Sequence, residues 1–229
     1  PGSHRPVAMT WAGQRWTVRN PVLTSGERGM LAGVSPTAEG GTWAAGSVTK
    51  GGSERPYIAR IVNGTWRRRD LPSVGAGALA AIAVPTRSDG WAVGYRITSA
   101  GLRPLVLRWN GKRWSRIPLP WVGASAIPQS LHASGNGELW IAGTQLATEN
   151  RETRGFVAHR DSGGWTMRFI DTPPDVRSSL QSVDATRNGA VVTGTIAATA
   201  LVLRTCDLPS PDLASGNGRK IKIAGIKKR

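Results

Sequence analysis

Four tryptophans, Trp16, Trp66, Trp114 and Trp165, recur at spacings of 50, 48 and 51 residues, each just after a Gly-containing pair: Ala12-Gly13, Asn63-Gly64, Asn110-Gly111 and Gly163-Gly164. Asn-Gly between two alternating apolar runs is a strong hairpin signal, because a tight type I′ turn needs φ > 0 at both central residues. Each copy therefore reads as a strand, a turn and a Trp-bearing strand. A second series keeps the same period. It runs Thr42-Trp43-Ala44-Ala45-Gly46, Gly90-Trp91-Ala92-Val93-Gly94, Leu139-Trp140-Ile141-Ala142-Gly143 and Ala190-Val191-Val192-Thr193-Gly194, with Val191 replacing Trp in the last copy. Two independent markers with one period identify a repeat architecture.

One unit of about 49 residues holds four short strands, a to d. In the second copy the pattern predicts them over 78–84, 90–97, 104–109 and 113–119. Four antiparallel strands repeated at this interval make a propeller blade, in which radial repetition leaves only short edges. No segment of the array has a helical period of apolar residues, and a sandwich has no reason to keep a constant period. The fold class is all-β, a β-propeller of four sequence repeats. The chain begins at strand c of one unit (residues 6–11) and ends after strand c of another (200–204), so closure of the ring is permuted. In a four-bladed ring, residues 178–195 supply a and b, and residues 6–20 supply c and d. A five-bladed ring needs further strands, from the tail or from a partner chain.

Signatures such as Ser88-Asp89-Gly90-Trp91-Ala92-Val93-Gly94 and Trp109-Asn110-Gly111-Lys112-Arg113-Trp114-Ser115 resemble the Trp-rich propeller repeats of actinobacterial extracellular proteins. These are distant relatives of kelch and Asp-box propellers, and their repeat length is similar to that of tachylectin-type lectins. The resemblance covers residues 6–204. It implies the fold, a lectin-like or other binding role, and a secreted or cell-surface location.

Three parts follow. Pro1-Gly2-Ser3-His4 reads as a cloning scar, residues 5–209 as the propeller, and residues 210–229 as a linker with a basic tail. The net charge of +16 attracts anionic partners. Residues 215–229 hold six of the thirty Lys and Arg and no acid, namely Arg219, Lys220, Lys222, Lys227, Lys228 and Arg229. Their Lys-Ile alternation suits a disordered solubilising tail, an added strand or a cationic recognition peptide. Cys206 is the only cysteine, which excludes an internal disulfide and a Cys-based zinc site. No apolar run reaches the 18 or so residues of a membrane helix.

In a propeller the d–a and b–c loops share one face. Here the b–c segments Ser47 to Arg55, Tyr95 to Arg103 and Thr144 to Arg154 vary most, and variable loops on a rigid scaffold are where binding groups reside. Arg5, Arg55, Arg103 and Arg154 each stand eleven residues before a Trp marker. If the ring closes they form a crown suited to bidentate contact with carboxylate, phosphate or sulfate. Glu54 and Glu152 are the nearby acids that would pair with them. The repeated Trp residues read as packing wedges, whereas Trp121 lies outside both series and is a contact candidate. No Ser/His/Asp, paired-carboxylate, phosphate-loop or metal-ligand pattern is present, so no cofactor or metal is implied. The reading is a non-enzymatic module for a glycan, another anionic polymer or a peptide or protein partner. Its rivals are a propeller lyase or hydrolase built from several blades, and a charge-driven nucleic-acid binder.

Overall fold

The structure is a computed structural model that describes residues 5–11, 13–21, 23–38, 41–121, 125–146, 152–173, 175–186 and 189–204. The basic tail therefore lies outside the described residues. The chain divides into two compact units, residues 1–119 and 120–229.

The first unit holds two four-stranded antiparallel meanders and a hairpin. The first meander joins β3 (Arg28–Pro36), β4 (Thr42–Lys50), β5 (Ser53–Val62) and β6 (Thr65–Arg68), in that spatial order. The second joins β7 (Gly77–Ala83), β8 (Gly90–Thr98), β9 (Gly101–Trp109) and β10 (Trp114–Arg116) in the same way. The hairpin pairs β1 (Met9–Trp11) with β2 (Trp16–Val18). In the second unit, β11 (Ala126–Ala133), β12 (Leu139–Gln145), β13 (Arg154–Asp161) and β14 (Gly164–Phe169) form a third meander. A three-stranded sheet follows, of β15 (Ser178–Thr186), β16 (Gly189–Ile196) and β17 (Thr199–Arg204).

The architecture is all-β, with the repeated four-stranded sheets of propeller blades, and the strands of the second copy fall within three residues of their predicted bounds. Position c beside β16 is filled by β17. Within residues 6–20, β1 and β2 pair with each other.

The marker glycines have a packing cause. Each strand a carries a bulge at one repeat position, at Leu31/Gly33, Leu79/Ala81, Pro128/Ser130 and Leu180/Ser182. The bulge presses a strand-a carbonyl against strand b. A Cβ at Gly143 would stand 2.5 Å from the Ile127 oxygen, and Gly46, Gly94 and Gly194 meet the carbonyls of Met30, Ala78 and Ser179 in the same way.

Neighbouring sheets stack through one repeated contact. Trp43, Ala45 and Ile58, from β4 and β5, pack on Leu79, Leu105, Trp109 and Trp114 of the second meander. Trp140, Ala142 and Val157, in the same register of the third, pack on Leu180, Val192 and Leu201 of the last sheet. Across strands b and c, each Trp of the second series faces a cation or a ring. Arg60 stands 5.3 Å over Trp43, Arg108 stands 5.1 Å over Trp91, and His159 stacks on Trp140 at 3.9 Å. Val191 faces Arg204 in the fourth copy.

Two of the segments read as variable loops are in fact strand. β4 and β5 run on to a two-residue turn at Gly51 and Gly52, with φ +57° and +80°, and β8 and β9 meet at Ser99 and Ala100. The pair of glycines permits φ > 0 without steric cost, so pairing continues where a loop was expected.

Candidate functional site

The d–a and b–c end of the first meander forms an open groove of about 590 Å³. β3 supplies Arg28, Gly29, Met30 and Leu31, β4 supplies Ser47 and Thr49, β5 supplies Glu54, and residues 5–7 close one side with Arg5, Pro6 and Val7. A second hollow of about 280 Å³ shares Arg5 and Pro6 and continues past Asn20, Thr24 and Glu27.

Two features make the groove receptive. Its apolar residues are uncovered, with Met30 58% and Val7 57% exposed, because the first residues of β3 alternate between sheet and solvent. The acids of the groove and of the adjoining hollow are already engaged. Thr24 N–H donates to Glu27 Oε2 at 2.8 Å, and Arg68 Nη1 donates to Glu27 Oε1 at 2.8 Å. Burial works to raise the Glu27 pKa, but the bonds from Arg68 and Thr24 outweigh it and hold the carboxyl below its usual range. Glu54 Oε2 accepts from the Tyr95 hydroxyl at 3.2 Å. Burial raises the Tyr95 phenol above its ordinary pKa, and the Glu54 charge raises it further. With Glu27 and Glu54 so occupied, Arg5 and Arg28 make no ion pair among the described residues.

Charge follows the same division. Residues 1–119 hold 17 Lys and Arg against 5 Asp and Glu, whereas residues 120–229 hold 13 against 9. The groove therefore sits in the unit with the stronger positive field.

The residues singled out from sequence fall into three settings. Arg5 and Glu54 are brought together in the groove. Arg55, Arg103 and Arg154 occupy one repeat position, paired with Val48, Arg96 and Gln145; the first two lie inside strand c and Arg154 begins it. Arg55 is exposed and Arg103 half-buried. Arg154 donates through Nε to Gln145 Oε1 at 2.7 Å and lies 3.9 Å over the Phe169 ring. Glu152 accepts from Arg177 Nε at 2.7 Å. Trp121 is half-buried and packs on Phe156 at 4.9 Å and Phe169 at 5.8 Å. Arg219, Lys220, Lys222, Lys227, Lys228 and Arg229 lie outside the described residues.

Sequence reasoning missed Arg28 and Met30, which sit at the start of strand a. The signal available was the run Arg28-Gly29-Met30-Leu31, where an apolar alternation begins on an arginine. Among the described residues no group of three or more His, Cys, Asp or Glu is placed to hold a metal ion. No helix is long and apolar enough to cross a membrane.

No protein-family model matches the chain. No curated protein matches it either. Among solved structures, a crystal structure of a protein of unknown function from Dyadobacter fermentans DSM 18053 has a TM-score of 0.51 and 15% identity, over 80% of this chain and 71% of that one. The likeness extends to the fold alone. The structure of YCF48 bound to D1 peptide aligns with a TM-score of 0.39 and 16% identity, over 84% of this chain and 69% of that one, too loose a likeness to bear on fold or ligand.

Proposed function

We propose that this chain is a non-enzymatic binding module of the Trp-rich propeller-repeat type, and that the groove of its first meander takes an extended, acidic peptide segment. The observation that carries this is the pairing of Arg5 and Arg28 with uncovered Val7 and Met30 in one groove. Guanidinium groups suit a carboxylate through bidentate bonds. The apolar wall favours a peptide over a polysaccharide, because alternate side chains of an extended peptide can place an acid on arginine and an apolar group on methionine. The Thr49 hydroxyl lines the same groove and can accept from a peptide N–H group.

The same reading takes β1 and β2 as strands c and d of a further, incomplete blade, which favours five blades over four. A secreted or cell-surface location belongs to the proposal too, through the repeat resemblance.

The test is a titration of a fluorescent peptide of alternating Glu and Leu, followed by anisotropy. Arg5→Ala with Arg28→Ala should weaken binding at least tenfold, and added salt should weaken it further. Equal affinity of the double variant for that peptide would remove the groove as the site. Tighter binding of a sulfated glycan through the same arginines would replace the peptide with a polymer.

A further inference from the structure

The C-terminal segment repeats one piece of the third copy almost letter for letter. The turn between β11 and β12 reads Ala133-Ser134-Gly135-Asn136-Gly137, and β12 goes on to the marker Ile141-Ala142-Gly143. The C-terminal segment reads Ala214-Ser215-Gly216-Asn217-Gly218 and goes on to Ile223-Ala224-Gly225, with one residue more between the two motifs. Counted back from the marker glycine, Ile221 stands for Leu139 and Lys222 for Trp140. Ahead of the turn the match continues without a gap, so that Leu208-Pro209 stands for Ile127-Pro128 on strand a. Lys-Ile alternation by itself suits several states, whereas two motifs in the order of the repeat specify a strand a, a turn and a strand b.

In the third copy these letters have local physical causes. Gly135 and Gly137 have φ of +81° and +86°, which glycine adopts without strain. Asn136 Oδ1 accepts from the Glu138 N–H at 3.0 Å and fixes the turn. Gly216, Asn217 and Gly218 bring the same groups in the same order. Along β12, Leu139, Ile141 and Ala142 are fully buried, and Ile221, Ile223 and Ala224 keep those positions apolar. The Trp140 position already varies, being Val191 in the fourth copy. Strand a is an edge strand in every sheet that has one, and β11 itself holds Pro128. Pro209 and Pro211 therefore suit a strand that pairs on one side.

A strand b lies beside a strand c. β5, β9, β13 and β17 each pair with the strand b of their own sheet. β1, the strand c of the N-terminal pair, is hydrogen-bonded to β2 alone among the described residues. Its approach has the letters of its counterparts. Arg5-Pro6 matches Arg55-Pro56 and Arg103-Pro104, and there Pro56 stands opposite Ser47 and Pro104 opposite Tyr95 of strand b. β1 and β2 have three residues each, and so short a two-stranded ribbon is marginal in water without a further strand.

We propose that residues 208–226 supply strands a and b to the blade of which β1 and β2 are c and d, residues 221–226 adding to β1 of the same chain. The bonds are main-chain N–H to carbonyl bonds, as in any strand addition. The register comes from the third copy, where Gly143 stands opposite Phe156 and Trp140 opposite His159. Phe156 precedes Trp165 by nine residues and His159 by six, as Val7 and Thr10 precede Trp16. Gly225 therefore comes opposite Val7, and Lys222 opposite Thr10. This inference rests on the five-blade reading of β1 and β2 and not on the groove, so strand pairing and peptide binding can fail separately.

The experiment is cysteine crosslinking in the whole chain carrying Cys206→Ser. Thr10→Cys with Lys222→Cys should form a disulfide on air oxidation, within single chains, as read by a denaturing gel and mass spectrometry. Thr10→Cys with Ile223→Cys should react about tenfold more slowly, because successive side chains of a strand point to opposite faces. Equal rates for the two pairs would overturn the proposal, and so would disulfides that join only separate chains. Amide hydrogen exchange on the unaltered chain needs no substitution. There Ile221 and Ile223 should exchange about a hundredfold more slowly than unstructured chain, and exchange at the unstructured rate would overturn the proposal whatever the cysteine pairs do.

Discussion

The Arg108 guanidinium lies 5.1 Å over the ring of Trp91, its direct cross-strand partner, and its Nε donates to Asp89 Oδ1 at 3.2 Å. Asp89 is buried and its Oδ2 has no hydrogen-bond partner among the described residues. Arg108 is thus the group that makes burial of this carboxylate tolerable, while Trp91 supplies the surface on which it lies. The third meander repeats the arrangement with Glu138, His159 and Trp140. Glu138 Oε1 lies 3.1 Å from His159 Nε2 and accepts from Trp140 Nε1 at 3.3 Å.

Arg108→Ala should therefore destabilise the fold by about 2 kcal/mol in urea unfolding, the cost of leaving a buried acceptor without its donor. Arg204→Ala, at the repeat position where Val191 replaces Trp and Gly189 replaces the acid, should change stability by less than about 0.5 kcal/mol. Equal losses would show that the Trp and acid partners contribute nothing.

Gly94→Ala should cost about 3 kcal/mol, because the new Cβ would meet the Ala78 carbonyl and stand 2.6 Å from the Leu79 Cα. Gly13→Ala tests the other use of glycine. There φ is +80° and nothing lies within 4 Å, so only backbone strain of about 1 kcal/mol is expected. Thermal denaturation of the two variants separates packing from strain, and a reversed order would refute the bulge explanation.

The ion pair of Glu27 with Arg68 makes stability depend on acid. Its folded pKa lies below the ordinary value of 4.5, so its contribution is complete above that pH and disappears as pH falls through the folded value. Tyr57 acts at the other end. Burial raises its pKa above 10.0, with the Arg68 charge opposing and the Glu27 charge assisting. Its neutral form is favoured by folding, so that contribution is complete below pH 10 and is lost as pH rises through the folded value. The midpoint of Glu27→Gln should therefore be flatter than that of wild type below pH 4.5, and parallel curves there would contradict the assignment.

Trp121 separates packing from contact. Its indole bridges Phe156 and Phe169, so Trp121→Ala should cost about 2 kcal/mol, short of the full loss for a buried aromatic because the residue is only partly buried. Peptide affinity should be unchanged. A large loss of affinity at unaltered stability would make Trp121 a ligand contact.

Much of this fold is legible in the repeat period, because one buried position per sheet reuses one residue type. Trp43, Trp91 and Trp140 mark strand b, and Gly46, Gly94, Gly143 and Gly194 mark the approach of strand a. What the period hides is context. Trp16 and Trp114 are the same letter at the same repeat position, yet one is exposed and the other buried, since burial depends on whether a neighbouring sheet is present. The groove is hidden for a related reason. Arg28 carries no repeat marker, and its partner Arg5 comes from a segment 23 positions earlier that only the folded chain brings alongside. The arginines at 55, 103 and 154 do keep their register, but pairing that extends strands b and c sets Arg55 and Arg103 within strand c, whereas Arg154 begins its strand.

The claim that the first meander binds an acidic peptide is tested most directly by photo-crosslinking. A benzophenone side chain placed at Met30, and in a second sample at Val191, is irradiated with the labelled Glu-Leu peptide. Crosslinking from position 30 that an excess of unlabelled peptide abolishes, with little from position 191, is the predicted result. Equal labelling from both positions, or labelling at position 30 that survives Arg5→Ala with Arg28→Ala, would contradict it.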